Sequence, residues 1–215
     1  MIQLHYFPGN ASLIPHILLE ELGLPFELQY VDRDKSAQKS PAYLKLNPNG
    51  LIPVFVDGSL VIYETAAICL HLVDTHPQAG FAPAVGTDGR AHFYKWMTWL
   101  TNTPQTMLFN YFYPERLVNE GNAAGAAELK AHAEAKVGAM LDQLDAQLAS
   151  HGKDWFAGER YSALDPYVFV TCRWTRGFTR PARSLPHLGP YLQRMLARPA
   201  VKKAIATEKL AAPLV

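Results

Sequence analysis

The chain is poor in cysteine and carries almost no net charge. Its 215 residues include two cysteines, Cys69 and Cys172, neither placed at CxxC or metal-ligand spacing. We therefore expect no disulfide framework and a reducing compartment. The formal net charge is +1, so the charge balance favours neither nucleic acid nor an anionic membrane as a partner.

Several other signals are missing as well. No apolar run is long enough to span a membrane, and no basic segment followed by an apolar stretch marks a signal peptide. We therefore expect a cytoplasmic protein. The eight histidines show no metal-ligand spacing, and there is no Walker loop, no GxSxG motif and no paired-carboxylate arrangement. We expect no metal cofactor.

Periodicity predicts a mixed first domain in a protein of the α+β class. Residues 2–7 and 26–31 alternate as strands and flank a helix over 13–22, which makes a βαβ unit. Two apolar runs then flank Asp57-Gly58, a hairpin signal, and a helix follows over 64–75. The order β-α-β, loop, β-β-α is that of the thioredoxin-like fold. The connecting loop has room for a short helix near 41–46.

The rest of the chain is predicted to be all-helical. A segment rich in Pro, Gly and Ala follows the first domain, and we interpret residues 78–89 as a linker. The predicted domains are thus 1–77, thioredoxin-like, and 90–215, a helical bundle. The helical candidates in the second domain are 90–112, 123–149, 162–177 and 188–197.

Three stretches of the first domain could carry chemistry. Ile52-Pro53 opens a strand, and a cis bond there would expose the Ile52 backbone for pairing with a bound peptide; an ordinary trans edge proline is the alternative. Glu64-Thr65 opens a helix whose N-terminus suits a carboxylate, while Glu64 would accept from an ammonium group; simple capping is the alternative. Ser12 could cap the first helix or donate to a ligand anion.

The same helix terminus could stabilise a thiolate. A thiol has a reference pKa of about 8.5. A hydroxyl donor together with a helix N-terminus could lower the pKa of a bound thiol by about one or two units.

These stretches, in this order, resemble the glutathione transferases over nearly the whole chain. YFPGNASLIPHILLEELG is similar to the first strand, turn and helix of that family, and NPNGLIPVFVDGSLVIYETAAICLHL to its proline-hairpin-helix block. WFAGERYSALDPYVF is similar to its C-terminal signature, in which Ser162 and Asp165 have capping-box spacing and are interpreted as structural. PG-x-x-SL-x-PHI indicates the bacterial beta-like subgroup.

The resemblance implies a cytoplasmic homodimer that serves detoxification, with glutathione as co-substrate and a small hydrophobic electrophile as the second substrate. It implies that Glu64 and Thr65 hold the γ-glutamyl end, that the Ile52 backbone and cis-Pro53 pair with the cysteinyl part, and that Ser12 or Asn10 contacts the sulfur. A looser match places Lys35, with Lys39, near the glycine carboxylate. The residues implied for the electrophile pocket are Thr103, Thr106, Phe109, Tyr111 and Phe112.

The sequence departs from the subgroup at one position. Beta-like members have a cysteine just before the serine, where this chain has Ala11, and the first 68 residues contain no cysteine. A protein–glutathione disulfide is therefore unavailable at this site. Three functions stay open: a transferase, a glutathione-dependent peroxidase or disulfide reductase, and a glutathione-binding module without catalysis.

Overall fold

The computed structural model of the protein describes all 215 residues and divides them into two compact units. The first unit comprises Met1–Pro83 and Met195–Ala212, and the second comprises Ala84–Arg194 and Pro213–Val215. The predicted boundaries at 77 and 90 stay predictions. The packing adds one feature that composition did not indicate, because a C-terminal segment belongs to the first unit.

A four-stranded mixed sheet forms the centre of the first unit. Its strands are β1 (Ile2–Tyr6), β2 (Phe26–Tyr30), β3 (Val54–Asp57) and β4 (Leu60–Tyr63), in the spatial order β2-β1-β3-β4. β1 runs parallel to β2 and antiparallel to β3, and β3 and β4 form a hairpin whose turn places Gly58 at φ 59°. The predicted thioredoxin-like order is confirmed.

The helices follow the predicted pattern except for an addition near the C-terminus and an interruption within 90–112. They are α1 (Leu13–Leu22), α2 (Pro41–Leu44), α3 (Thr65–Thr75), α4 (Asp88–Leu100), α5 (Thr106–Phe112), α6 (Ala123–His151), α7 (Leu164–Arg173), α8 (Leu188–Ala197) and α9 (Pro199–Thr207). None combines the length and apolar character needed to cross a membrane.

Helix α9 packs on α1 inside the first unit. The first seven residues of α1 are all buried, so the helix needs cover on more than its sheet-facing side. Two ion pairs join the helices: Arg198 Nη2 lies 2.7 Å from Glu21 Oε2, and Lys203 Nζ lies 2.7 Å from Glu20 Oε2. The sequence analysis did not predict α9.

Residues 101–105 interrupt the helix predicted over 90–112. This segment, Thr101–Gln105, forms a π-helical turn between α4 and α5 and contains Pro104. Proline has no N–H to donate and its ring clashes with the carbonyl four residues earlier, so a regular α-helical path is disfavoured there. A π turn accommodates the proline with one extra residue.

The start of α7 is held by one buried carboxylate. Asp165 Oδ2 accepts from the Ser162 N–H at 2.7 Å and from its hydroxyl at 3.2 Å, and the Leu164 N–H donates to Ser162 Oγ. Asp165 Oδ1 accepts from the Phe156 N–H and from the Tyr191 hydroxyl, both at 2.9 Å. Burial raises the pKa of Asp165 to about 6. Ser162 and Asp165 thus serve the fold.

Candidate functional site

The strand register gathers the predicted ligand-binding segments of the first unit at one edge of the sheet. His5 of β1 pairs with Val54, so the turn after β1 lies beside the Ile52-Pro53 segment. Val54 also pairs with Tyr63, which brings in Glu64 and the start of α3. Tyr6 pairs with Tyr30, where the loop that carries Lys35 begins. Segments far apart in sequence therefore meet at one place.

Ser12 is fully buried at the start of α1. Its hydroxyl donates to the Phe7 carbonyl at 3.2 Å and accepts from the Phe7 N–H at 3.3 Å. A hydroxyl has a single hydrogen to donate, and Phe7 uses it. The Ser12 hydroxyl therefore stabilises the turn between β1 and α1. Its contact with a ligand stays a prediction.

Asn10 presents its side-chain amide in the same turn. Its Oδ1 accepts from the Ala11 N–H at 2.6 Å, while Nδ2 makes no hydrogen bond within the chain. The backbone N–H of Ser12 also has no partner within the chain. α1 has no side-chain cap. Of these two donors, the Ser12 N–H is buried, whereas Asn10 is partly exposed. Asn10 Nδ2 therefore presents a donor at a positive helix terminus, an arrangement that favours an anion.

A buried carboxylate from the far end of the chain supports this turn. Glu208 Oε2 accepts from the Gly9 N–H at 2.7 Å, and Oε1 lies 2.7 Å from His16 Nδ1. Because a carboxylate only accepts, Nδ1 carries the hydrogen. The sequence analysis missed Glu208, since 192 residues separate it from His16 and no local pattern links the two.

The backbone of Ile52 is unpaired and held in place. The Ile52–Pro53 peptide bond is cis, as the resemblance implies, and Ile52 makes no hydrogen bond within the chain. The preceding carbonyl, of Leu51, accepts from the Tyr43 hydroxyl and from Asn47 Nδ2, each at 2.9 Å. Tyr43 and Asn47 are both buried. The loop is therefore rigid where an extended peptide could pair with it.

Glu64 and Thr65 leave the start of α3 open. Glu64 is exposed, adopts φ 74° and makes no capping hydrogen bond. A side chain at positive φ costs about 1–3 kcal/mol of backbone strain, and such residues cluster at functional sites. The side chain of Thr65 is largely buried, yet its hydroxyl makes no hydrogen bond within the chain. Carboxylate, hydroxyl and helix terminus all remain available to a ligand.

The two lysines predicted near a ligand carboxylate have other partners. Lys35 is 83% exposed and its Nζ lies 3.0 Å from Asp32 Oδ2, a hydrogen bond that raises the pKa of the ammonium group. Lys39 Nζ donates to the Asn49 carbonyl at 3.2 Å. The predicted role of both lysines is untested, and an exposed lysine can exchange its partner at small cost.

The five residues predicted for the electrophile pocket lie in the second unit and differ in their surroundings. Thr106, Phe109 and Phe112 are exposed at intervals of three along α5, so they share one face. Tyr111 instead packs on Phe178, with ring centroids 4.4 Å apart. Half-buried Thr103 lies in the π turn.

The side chains form no group of metal ligands, and both cysteine thiols are buried. No three His, Cys, Asp or Glu residues come together as a set of metal ligands. Cys69 and Cys172 are free and buried, and burial raises the pKa of both thiols. Both therefore stay protonated and unreactive at neutral pH.

Comparison with known proteins gives consistent results. The profile "Glutathione S-transferase, N-terminal domain" matches residues 11–75, and "Glutathione S-transferase, C-terminal domain" matches residues 105–199. "Glutathione S-transferase GST-4.5" of Xanthomonas campestris is 32% identical over 97% of this chain and 100% of its own length.

Solved structures agree with these matches. A sphingomonad glutathione S-transferase complexed with glutathione has a TM-score of 0.82 and 32% identity, covering 97% of this chain and all of that one. A bacterial beta class glutathione S-transferase of Sphingomonas chungbukensis has a TM-score of 0.83 and 29% identity, with the same coverage. The chain belongs to the glutathione S-transferase family.

Proposed function

We propose that the protein is a glutathione transferase that binds glutathione at the sheet edge of its first unit. The observation that carries the proposal is the convergence of three unfilled backbone elements there: the start of α1, the Ile52 backbone and the start of α3. Glu64 would accept from the glutamyl ammonium, while Thr65 and the α3 terminus would hold its carboxylate. Ile52 would pair with the cysteinyl part, and Lys35 would reach the glycine carboxylate.

Sulfur activation would come from donors at the start of α1. We assign direct contact to Asn10 Nδ2, which has no partner within the chain and belongs to a partly exposed residue. The Ser12 hydroxyl would act one step away, by holding the turn through Phe7. The Asn10 amide, together with the helix terminus, would lower the pKa of the bound thiol by about one or two units from about 8.5. The thiol proton would pass to solvent, and the thiolate would attack an electrophilic carbon, forming a C–S bond as the leaving group departs with its bonding electron pair. No covalent enzyme intermediate is formed.

The second substrate would be a small hydrophobic electrophile. Support comes from the exposed aromatic side chains of Phe109 and Phe112 on α5, with the Thr106 hydroxyl on the same face. We assign Thr103 to the edge of this binding surface. Tyr111, predicted for it, would contribute by supporting α5 through its contact with Phe178.

We also propose that the protein forms a homodimer in the cytoplasm. The edge strand β4 exposes Leu60 and Val61, and exposed apolar side chains on an edge strand favour burial against a partner. The two buried free cysteines suit a reducing compartment. Light scattering of the purified protein would show twice the monomer mass, and a monomer at all concentrations would refute the dimer.

An ultraviolet difference titration of bound glutathione near the thiolate absorbance tests the central proposal. Wild type, Asn10→Ala and Ser12→Ala would be titrated across pH, with Ser40→Ala as the matched control. Ser40 also starts a helix of the first unit, and its hydroxyl accepts from the Tyr43 N–H. We expect the wild type to ionise the bound thiol about one unit or more below its free value. Asn10→Ala should lose part of this shift, and Ser40→Ala none.

Each other outcome points to a different assignment. Complete loss of the shift in Ser12→Ala, with unchanged glutathione affinity, would make its hydroxyl the direct donor. Bound glutathione that titrates as in water would leave a binding module without catalysis. Faster turnover of a mixed glutathione disulfide than of an aryl halide would select the reductase. A wild type that binds no glutathione would refute the proposal.

A further inference from the structure

One buried side chain holds both ends of the π turn in the second unit. Tyr167, on α7, is fully buried. Its hydroxyl donates to Gln105 Oε1 at the last residue of the turn and lies 3.0 Å from Thr101 Oγ1 at the first. No predicted ligand-binding residue makes these contacts, and the sequence motifs gave Tyr167 no role.

Side chains contribute to the bonding of the π turn, in which one backbone donor is missing. Pro104 has no N–H to donate. Two threonine hydroxyls add contacts here: Thr106 Oγ1 donates to the Thr101 carbonyl at 3.3 Å, and Thr101 Oγ1, with its single hydrogen, lies 3.0 Å from both the Met97 carbonyl and the Tyr167 hydroxyl. π-helical geometry is rare and occurs mostly as single turns. The buried Tyr167 side chain contacts both ends of this turn and so favours the π path over a regular α-helical one.

The turn determines which side chains α5 exposes. One extra residue in a helix rotates everything after it by about 100°, the angle between successive α-helical residues. The exposed face of Thr106, Phe109 and Phe112 is therefore specific to the π path. A regular α path would turn that face away and present other residues of α5.

We propose that Tyr167 is a positioning residue for electrophile specificity, acting through the π turn to set the face of α5 that meets the apolar part of the second substrate. This role of Tyr167 rests on the proposed function and concerns its specificity for the second substrate. Tyr167 itself touches no substrate. Its hydroxyl fixes the rotation of α5 about its axis, and that rotation determines which face of α5 meets the substrate.

Tyr167→Phe tests the assignment because it removes the hydroxyl and keeps the ring. The affinities of glutathione and of S-hexylglutathione, in which an apolar chain replaces the thiol hydrogen, would be measured by calorimetry. We expect the wild type to prefer S-hexylglutathione. The variant should lose about fivefold to tenfold of that preference, with its glutathione affinity changed by less than about twofold. Amide hydrogen exchange across 101–106 should accelerate by a similar factor.

Two further variants distinguish a specific effect on ligand preference from a general loss of stability. Gln105→Leu removes the acceptor from the half-exposed side of the same contact and should reproduce both effects. Tyr191→Phe removes another buried tyrosine hydroxyl of the second unit, one that bonds to Asp165. It should destabilise the fold and leave the preference between the two ligands unchanged.

The possible failures are distinguishable. An unchanged preference in Tyr167→Phe, unchanged exchange across 101–106, or equal losses for both ligands would overturn the role of Tyr167 alone. Equal binding of the two ligands by the wild type would also overturn it, since no apolar surface would then contribute. Failure of the wild type to bind glutathione would overturn the proposed function, and this assignment with it.

Discussion

Helices α3 and α7 begin in contrasting ways. At α7, Asp165 accepts hydrogen bonds from two backbone N–H groups and two hydroxyls and is buried. At α3, Glu64 is exposed, makes no capping bond and adopts φ 74°. Both ends carry a carboxylate and the positive end of a helix dipole. The chain uses the Asp165 carboxylate for its own folding and leaves the Glu64 carboxylate without a capping role, and we propose that a ligand binds there.

The contrast shows how a stability element differs from a binding element of the same composition. A helix end filled by its own chain contributes to the free energy of unfolding and gains nothing from solutes. A helix end left open, with a residue in an unfavourable backbone conformation, weakens the fold and offers its donors to a solute. Substitutions at Asp165 and Glu64 should therefore separate stability from affinity.

The largest effect is expected for Asp165→Ala. The substitution leaves the Phe156 and Ser162 N–H groups without their acceptor inside the second unit. The Tyr191 hydroxyl loses its carboxylate acceptor and keeps only the residue 165 backbone carbonyl, at 3.2 Å. Stranded buried donors of this kind should lower the free energy of unfolding by about 3–5 kcal/mol. Urea denaturation measures this loss.

Ser162→Ala is the matched variant at the same helix start. It removes one hydroxyl and keeps the backbone donors paired with Asp165, so its cost should be about 1 kcal/mol. Equal losses for the two variants would show that the carboxylate is not the main support of α7.

The pH dependence of stability should show the next largest effect. Burial raises the pKa of Asp165 to about 6, from 3.8, so the folded protein holds this proton more tightly than the unfolded chain. The resulting stability is fully present below about pH 3.8 and is lost as the pH rises through about 6. The total change should be about 3 kcal/mol.

Asp165→Asn isolates this contribution because its side chain does not titrate. Exposed carboxylates such as Asp142 and Glu159, whose pKa values are lowered by hydrogen bonds to Arg180 and Lys153, titrate alike in both proteins and cancel. Urea denaturation of both proteins between pH 4 and 8 gives the difference. A difference independent of pH would contradict the raised pKa.

The smallest effect on stability, and the clearest effect on a ligand, is expected at Glu64. Glu64→Ala and Glu64→Gly both remove the proposed acceptor for an ammonium group and should weaken glutathione binding about tenfold or more. Glycine adopts positive φ without strain, so Glu64→Gly should be about 1 kcal/mol more stable than Glu64→Ala. Calorimetry and urea denaturation measure the two effects.

The two variants control for each other in the binding measurement, since both lack the carboxylate. Equal stabilities would show that relief of strain at φ 74° only balances the extra conformational entropy that glycine loses on folding. Retained glutathione affinity in both would remove Glu64 from the proposed site and weaken the contrast with α7.

Most of the fold could be predicted from local sequence patterns. The predicted helix over 13–22 matches Leu13–Leu22, and the one over 188–197 matches Leu188–Ala197. Both have clear apolar periodicity, which reflects the face a helix buries. The hairpin followed from Asp57-Gly58, because a tight turn between strands requires a residue at positive φ.

The misses depend on contacts between residues distant in sequence or on unusual helix geometry. Nothing near Pro104 showed whether the chain would kink, break or form a π turn, and the Tyr167 hydroxyl that bonds to Gln105 of the turn lies 62 residues further along the chain than Gln105. The burial of the Ser12 hydroxyl could not be read from its cap-like position, because it depends on how the turn folds back on Phe7. The bonds of Glu208 to Gly9 and His16 depend on α9 packing against α1.

The Glu208 contacts have a consequence for the order in which the chain is made. A ribosome synthesises the N-terminus first, so β1, α1 and the rest of residues 1–83 emerge long before Glu208. Until then His16 and the Gly9 N–H lack the acceptor that they have in the finished protein. The first unit in sequence is therefore the last to be completed, and the turn between β1 and α1 gains its Glu208 contacts only when the C-terminal helix has been made.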